Sequence, residues 1–438
     1  MSAELKLRLP HPVYPGTTYE DGVPGIMLKS WEFNGWQPES LSWKNSCYIH
    51  GGLSGGSAIS TKGPDAKKYL ESLCINSFEN FPVGKMIHAV MCNEDGIIQT
   101  HGIIERHAED HFISFVGGPP ICAPPEAASG FDVKVEVLDW YLFQVAGPTS
   151  LAVLEKLTGE NLRDLKFLYH KKSKILGKYL SSGKDITVDL ARIGMARNLA
   201  YELHGPMEES AEIYDAVYKV GQEFGIERLG WHTYFVNHTE GGFPQNSGHF
   251  VTPAMISMFP SADGSNPLES TSGSVDPTDM RARFRTPVEV AWGNLAKADH
   301  DYIGRAAVEA ELANPKRTTI TLRWNPEDVM DVWSSLLKPG ESLPLLSMPV
   351  APYRKNRGGH QDHVLYNGHE IGYSSGIVYS YHFREFLSLG CIDIDAAEIG
   401  TEVKIRWGDY GGKTMDIRAT VAVMPYLSDG KFGQPDPK

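Results

Sequence analysis

The sequence predicts an α+β chain that ends in an all-β barrel domain. A unit of strand, Gly-Pro turn and helix occurs twice, at 59–74 and 141–159, and an amphipathic helix follows at 207–225. From about residue 318 the chain changes to short β-branched runs joined by Asn-Gly and Gly-rich turns, a pattern typical of a barrel or sandwich.

Local patterns justify the elements of the N-terminal region in order. "ISTKGPDAKKYLESLC" (59–74) predicts a strand, a Gly-Pro turn and a helix that Asp65 can cap. "HFISFVGG" (111–118) and "FDVKVEVLD" (131–139) are typical of strands. "MEESAEIYDAVYKVGQEFG" (207–225) carries its apolar residues on one helical face and ends at a glycine.

Length and composition bound the class of protein. A chain of 438 residues exceeds one ordinary core, so two or three domains are expected. A net charge of −13 argues against nucleic acid and anionic membranes as partners. The five cysteines form no CxxC pair and fit a reducing cytoplasm, and no apolar run has the length of a signal peptide core or a membrane span. We therefore expect a cytoplasmic protein.

Common catalytic and metal motifs are missing. "GGLSGG" (51–56) is not followed by a βαβ unit, and the sequence has no GxxxxGK[ST], HExxH or GxSxG motif. "HQDH" (360–363) is a dense histidine pair, but a polar loop beside an Asn-Gly turn explains it better than a metal. The sequence thus predicts no metal site.

One carboxylate stands out in "NHTEGGFPQNSGHF" (237–250). Glu240 lies where an apolar run meets a glycine-rich loop. A buried carboxylate is costly unless it is hydrogen-bonded or paired. Glu240 is therefore either a solvated loop acid or a group that binds a ligand with hydrogen-bond donors.

The motifs, read together, resemble the glycine-cleavage T-protein (aminomethyltransferase) family. The block from 196 to 242 matches the family's signature at Tyr201-Glu202-Leu203, Pro206, the following helix, Gly225-Ile226, Gly230 and Glu240-Gly241. Further matches are "QVAGPTS" (144–150), "TPVEVAWG" (286–293), "DHDYIGRAAV" (299–308) and "NGHEIGYSSGIVYS" (367–380). "WEFNGWQPESLSWKNSC" (31–47) is most similar to the bacterial tetrahydrofolate-dependent aryl O-demethylases of the vanillate and syringate type.

The resemblance implies a T-protein-like fold, with folate-binding α+β domains around a central site and a C-terminal β-barrel. It places the folate-binding region at 1–317, as two interleaved α+β subdomains with the second at about 150–230, and the barrel at 318–438. The cofactor implied is tetrahydrofolate, and the substrate is a small aromatic ether.

The resemblance also implies roles for four residues. Glu240 would bind the pterin ring, because two carboxylate oxygens match two adjacent donors. Gln144 would contact folate or substrate, unless it is a strand residue satisfied by the backbone, and Tyr201 of the "YEL" match is the third binding candidate. His101, in "GIIQTHGII" (96–104), stands where the family keeps an Asp. It would donate a proton to the leaving oxygen, unless it is structural.

Departures from the demethylase pattern concern the substrate. The tyrosines expected near 23–29 are missing, "GGLSGG" replaces a Gln-Thr-His-His-type segment, and the expected arginine falls at Gly118. Loss of an arginine removes the fork that binds a carboxylate. We therefore expect a neutral or larger aryl ether, methylenedioxy ethers included, in a pocket widened at Gly118.

The function predicted is transfer of a methyl or methylenedioxy carbon from an aromatic ether to N5 of tetrahydrofolate. The alternatives are a folate-dependent enzyme with a sulfonium, methylamine or lipoyl-protein donor, and a non-catalytic folate-binding protein.

Overall fold

The computed structural model describes residues 9–23, 27–54, 58–116, 118–194, 197–258, 271–350 and 359–428. The first part contains β1 (Thr18–Val23), β2 (Met27–Glu32), α1 (Trp36–Asn45), β3 (Cys47–His50), β4 (Ala58–Lys62), α2 (Ala66–Leu73), β5 (Met86–Cys92), β6 (Ile98–Ala108), β7 (His111–Phe115), α3 (Pro119–Cys122), β8 (Lys134–Leu138), β9 (Trp140–Ala146) and α4 (Ser150–Thr158). The middle contains β10 (His170–Ile175), β11 (Ile186–Ala191), β12 (Ala200–Pro206), α5 (Ser210–Gly221), β13 (Ile226–Arg228), α6 (Trp231–Glu240), α7 (Pro253–Met258) and α8 (Arg305–Ala313). The last part contains β14 (Arg317–Trp324), α9 (Pro326–Ser335), β15 (Asp362–Tyr366), β16 (His369–Ser380), β17 (Glu385–Asp393), β18 (Glu402–Gly408) and β19 (Thr414–Ala422).

Two sheets build the region before the barrel. One has the strand order β5-β6-β7-β4-β8, and the other has the order β10-β11-β12-β9-β3-β13. The second sheet takes β3 from before the first sheet in the chain, so the two halves interleave. The subdomain expected at about 150–230 therefore also contains β3 and β9.

The two Gly-Pro turns are structurally equivalent. Gly63 follows β4 with φ 143°, and Gly147 follows β9 with φ 128°. A Cβ on Gly63 would lie 2.3 Å from the Asp132 carbonyl oxygen, and one on Gly147 would lie 2.4 Å from the Ser46 carbonyl oxygen. Both turns need glycine because the neighbouring backbone passes so close, which supports a pseudo-repeat of strand, turn and helix.

The register of β9 against β12 decides which side chains share a face. Gln144 pairs with Glu202, and Val145 pairs with Tyr201. Because successive strand residues point to opposite faces, Gln144 and Glu202 share one face and Val145 and Tyr201 share the other. The second face is covered by α4 and α5 in one apolar core, whereas the first faces α6.

The C-terminal barrel is confirmed. Strands β14 to β19 close in the order β14-β17-β16-β15-β18-β19, and β14 begins at Arg317. Its interior is filled by apolar side chains that include Trp324 and Trp407. No helix in the described part of the chain is long and apolar enough to cross a membrane.

One local expectation is wrong. Asp65 occupies the N-cap position of α2, but its side chain makes no capping bond. Its carboxylate accepts instead from the Asp132 N–H at 3.1 Å and from Lys68 at 3.3 Å. The long-range partner competes successfully because the turn at Gly63 already holds residue 132 nearby.

Candidate active site

Glu240 is buried and fully bonded, so it is not a solvated loop acid. It is the last residue of α6 and is 1% exposed. Its Oε1 accepts from Lys44 Nζ at 3.1 Å and from Ser380 Oγ at 2.5 Å. Its Oε2 lies 3.0 Å from Lys44 Nζ and accepts from Trp43 Nε1 at 3.2 Å. A carboxylate has about four acceptor positions, so protein donors occupy them all.

Lys44 is the partner that makes this arrangement possible. Its side chain is 6% exposed, and its ammonium lies 4.7 Å from the centre of the Phe383 ring. Burial lowers the pKa of Lys44 from its usual value, and the charge of Glu240 opposes that shift. The pair therefore consists of a buried ammonium and a buried carboxylate, and removal of either group leaves the charge of the other without a partner.

Gln144 joins the same region through Tyr48. The Tyr48 hydroxyl donates to Gln144 Oε1 and accepts from Asn237 Nδ2 at 3.1 Å. Asn237 lies three residues before Glu240 on α6, and Tyr48 packs edge-on against Trp43 at 6.1 Å between ring centres. The structure thus brings Gln144 and Glu240 into one buried region, in which α6 and the contact between Trp43 and Tyr48 join their two sets of hydrogen bonds.

From Gln144 the network continues between the two sheets. Gln144 Nε2 donates to Glu202 Oε1 at 3.3 Å, and Glu202 Oε2 lies 3.2 Å from His204 Nε2. His204 Nδ1 then lies 3.5 Å from Glu105 Oε1. Burial opposes a charge on His204, but the negative charge of Glu105 prevails and raises the pKa of His204 to about 10.

His101 lies among aromatic side chains. It lies on β6, and its Nδ1 is 3.2 Å from His88 Nε2 on the adjacent strand. Trp292 and Phe243 pack against the imidazole, at 4.8 and 6.1 Å between ring centres. Both histidines are half-buried, and aromatic rings contact the His101 imidazole from more than one side.

The protonation state of His101 differs from that of a general acid that is protonated before the reaction. Burial lowers the pKa of His101 to about 4, and burial followed by the charge of His101 lowers that of His88 well below its usual value. Both rings are therefore neutral at pH 7, and one donates a hydrogen bond to the other. A neutral His101 holds no extra proton in advance, so it would have to receive the proton that it donates to the leaving oxygen.

Tyr201 lies apart from the other three candidates. It is buried on the face of the second sheet that α4 and α5 cover, among Val145, Leu154 and Val217. Gln144 points to the opposite face. The structure therefore does not bring Tyr201 together with Gln144, and its binding role stays a prediction.

Gly118 does not widen a pocket. A Cβ there would lie 2.8 Å from Ser114 Cβ, and a Cβ on Gly102 would lie 2.8 Å from the backbone of Gly118. The position is thus closely packed. Residues 24–26 and 55–57, in the segments where the demethylase pattern departs, lie outside the described residues.

Sequence reasoning missed several polar groups. Lys44, Tyr48 and His88 gave no signal because each acquires its partner only through the tertiary fold. In "HQDH", His360 pairs with Asp362 at 2.6 Å, whereas His363 faces Glu370 on β16. Among the described residues a different group could hold a metal, and it consists of Glu105, His107 and His170.

Comparison with known proteins gives a consistent family. The model of the GCVT N-terminal domain matches residues 23–250. The chain is 36% identical over 90% of its length to a sesamin methylene transferase of a Sinomonas species, and this covers 90% of that protein. It is 29% identical over 97% of its length to a syringate O-demethylase of a Sphingobium species, and this covers 93% of that protein.

A solved structure shows the same fold. The aminomethyltransferase T of the glycine cleavage system from Bartonella henselae superposes with a TM-score of 0.67. The superposition covers 95% of this chain and 96% of that one at 17% identity. At that identity the likeness concerns the fold.

Proposed function

The chain belongs to the family of the GCVT N-terminal domain, and from that premise we propose that it transfers a one-carbon unit from an aromatic ether to tetrahydrofolate. The observation that carries the proposal is similarity over nine-tenths of both chains to a protein named for methylene transfer from sesamin. The second relative is named for O-demethylation of syringate. Both names describe removal of one carbon from an aromatic compound.

The residues of the site fit a flat ring that carries hydrogen-bond donors. Asn237 Oδ1 is buried and makes no hydrogen bond, although Asn237 Nδ2 does. Glu240 can accept from a ligand if Lys44 withdraws, since the lysine stem is flexible and its burial already disfavours the charge. We propose that pterin donors take the place of the Lys44 ammonium on Glu240 while Trp43 and Ser380 hold the carboxylate in position.

Tetrahydrofolate, when bound, supplies the nitrogen nucleophile that receives the carbon. The reaction converts an ether into a phenol, so a proton has to reach the leaving oxygen. His101 and His88 form a neutral pair that can accept a proton at one nitrogen while it releases one from another. A neutral histidine pair suits such a relay because the low pKa of each imidazolium lets it release a proton readily. We therefore propose that His101 passes a proton to the leaving oxygen during the reaction, and that it is not protonated beforehand.

The walls around His101 fit an uncharged aromatic substrate. Trp292, Phe243 and Phe250 surround the ring, with Phe250 at 6.1 Å between ring centres. Aromatic walls favour stacked or edge-on aryl groups. We propose a methylenedioxy-substituted or methoxylated aryl ether as the substrate.

A substrate panel tests the function. Purified protein, tetrahydrofolate and each donor are incubated, and the folate product is identified by mass spectrometry. We expect methylene-folate from a methylenedioxybenzene lignan or methyl-folate from a methoxyarene, and we expect Tyr201→Phe to behave as the wild type. Product from a sulfonium or methylamine alone would replace the proposed donor. Folate binding without any product would contradict an enzymatic role.

A further inference from the structure

A cluster of histidines and carboxylates lies where the two sheets meet, at the far end of β6 from His101. Glu105 and His107 lie on β6, and His170 begins β10. One ligand atom from each of these three side chains lies within 4.8 Å of the others. Glu105 lies four positions after His101 on β6, which corresponds to roughly 13 Å along the strand. The cluster is therefore distinct from the proposed transfer site.

The distances fit a small divalent cation. Glu105 Oε2 lies 3.0 Å from His107 Nε2 and 3.9 Å from His170 Nδ1. Neighbouring ligand atoms of a tetrahedral zinc site lie about 3.3 Å apart, because each bond is about 2.0–2.1 Å long. Glu105 Oε2 and His107 Nε2 already lie close to that separation, and all three ligand atoms lie within 4.8 Å of one another.

The second nitrogen of His170 faces an acceptor, as in metal sites. His170 Nε2 lies 3.2 Å from the Arg106 carbonyl oxygen, so its proton belongs there and the lone pair of Nδ1 faces Glu105. A carbonyl behind the imidazole is a usual arrangement that orients a metal-binding histidine. His107 Nδ1 lies 4.0 Å from Asp189 Oδ1, beyond hydrogen-bond distance.

One unpartnered buried nitrogen points into the cluster. His170 Nδ1 makes no hydrogen bond although its side chain is only 5% exposed, and it lies 3.9 Å from Glu105 Oε2. A buried imidazole lone pair that faces a carboxylate oxygen without a proton or cation between them is costly.

We propose that Glu105, His107 and His170 bind one Zn²⁺ ion that joins the two sheets, with a water molecule as the fourth ligand. Two imidazoles and one carboxylate form a donor set that zinc accepts, whereas Mg²⁺ and Ca²⁺ prefer oxygen ligands. The site is structural in this proposal, since it ties β6 of one sheet to β10 of the other.

The test is metal binding by the full chain without folate or substrate. Chelated protein is titrated with ZnCl₂ by calorimetry and with CoCl₂ by visible absorption, which is intense for four-coordinate cobalt. We expect one ion per chain and a rise in Tm on binding. His107→Ala and His170→Ala should each weaken Zn²⁺ binding by about a hundredfold or more.

His111→Ala is the matched control, because its ring lies 5.7 Å from that of His107 but bonds to Ser60 at 2.9 Å. This variant should bind zinc as the wild type does. Wild-type protein that binds no zinc at stoichiometric level would overturn the proposal whether or not the variants fold. Zinc affinity unchanged in a folded His107→Ala or His170→Ala variant would also overturn it.

Discussion

Separating the structural role of Glu240 from its proposed binding role requires a change at Lys44 as well. Glu240→Ala removes the acceptor of Trp43, Lys44 and Ser380 and leaves a buried ammonium unpaired. Breaking a buried pair in this way costs about 3–5 kcal/mol. With an unfolding entropy of about 2.1 cal/mol/K per residue, that loss lowers Tm by about 4 °C if the chain unfolds as one unit. Weak folate binding by this variant alone would therefore be ambiguous.

The double variant Lys44→Met/Glu240→Gln resolves the ambiguity. It replaces two buried charges by neutral groups of similar size, so the free energy of unfolding should stay within about 1 kcal/mol of the wild type. The loss of a charge-assisted contact to the pterin should cost about 1.5–3 kcal/mol of binding. Calorimetry with tetrahydrofolate should then show a Kd raised about ten- to a hundredfold.

Lys44→Met serves as the control for this experiment. It removes the competing ammonium but keeps the carboxylate with two donors, Trp43 and Ser380. Because it also leaves a buried charge unpaired, its stability is measured beside its affinity. Folded Lys44→Met protein should bind tetrahydrofolate at least as tightly as the wild type. A double variant with normal stability and wild-type folate affinity would refute the role of Glu240 in binding. Equal losses in Lys44→Met and the double variant would assign the effect to Lys44 instead.

Four further predictions concern the proton relay, the core tyrosine, metal dependence and acid stability. His101→Ala should lower kcat about a hundredfold with folate affinity near normal. The kcat of the wild type should show no inflection near pH 6.5, because the pKa of His101 is about 4. An inflection there that disappears in the variant would show that His101 acts as a protonated general acid. Tyr201→Phe should change neither kcat nor folate affinity by more than about twofold, and a larger loss would return Tyr201 to the site. Initial rates well below Tm should survive exhaustive chelation, because transfer to a nitrogen nucleophile uses no metal here; rates lost to chelator and restored by a divalent ion would contradict this. Burial lowers the pKa of His50 and His249 to about 3, and of His101 and His238 to about 4. Between those values and the usual 6.5 the unfolded chain binds more protons, so the free energy of unfolding decreases as the pH is lowered, by up to about 1.4 kcal/mol per pH unit for each group. An equal urea midpoint at pH 5.5 and pH 7.5 would contradict this.

Local patterns predicted the elements whose stability is local. The strand, turn and helix units and the barrel strands were found because alternation, helical periodicity and turn residues are read over ten residues or fewer. The motifs also identified Glu240 as a candidate, because they occur along this chain in the same order as in the family. The end of α6 at Glu240 was not predicted, because "TEGG" is equally typical of a loop.

The missed features depend on contacts between distant segments. The face to which Tyr201 points follows from the register of β9 against β12, which the sequence does not specify. The bonds of Glu240 require α1, α6 and the end of β16 to meet. The cluster of Glu105, His107 and His170 needs both sheets in place, so no spacing along the chain could reveal it.

The last turn of α6 contacts both the second sheet and the barrel. Asn237 bonds to Tyr48 on the second sheet, and Thr239 donates to the Gly376 carbonyl oxygen on β16 at 2.9 Å. Glu240 accepts from Ser380 at the end of the same strand, and its own carbonyl accepts from the Leu427 N–H at 2.8 Å. Asn237 thus bonds to the second sheet, and Thr239 and Glu240 bond to the barrel. In the proposed binding mode, a ligand that replaces Lys44 on Glu240 would bind a carboxylate that also accepts from Ser380 at the end of the barrel strand. The proposal therefore predicts that folate binding and the position of the barrel are coupled.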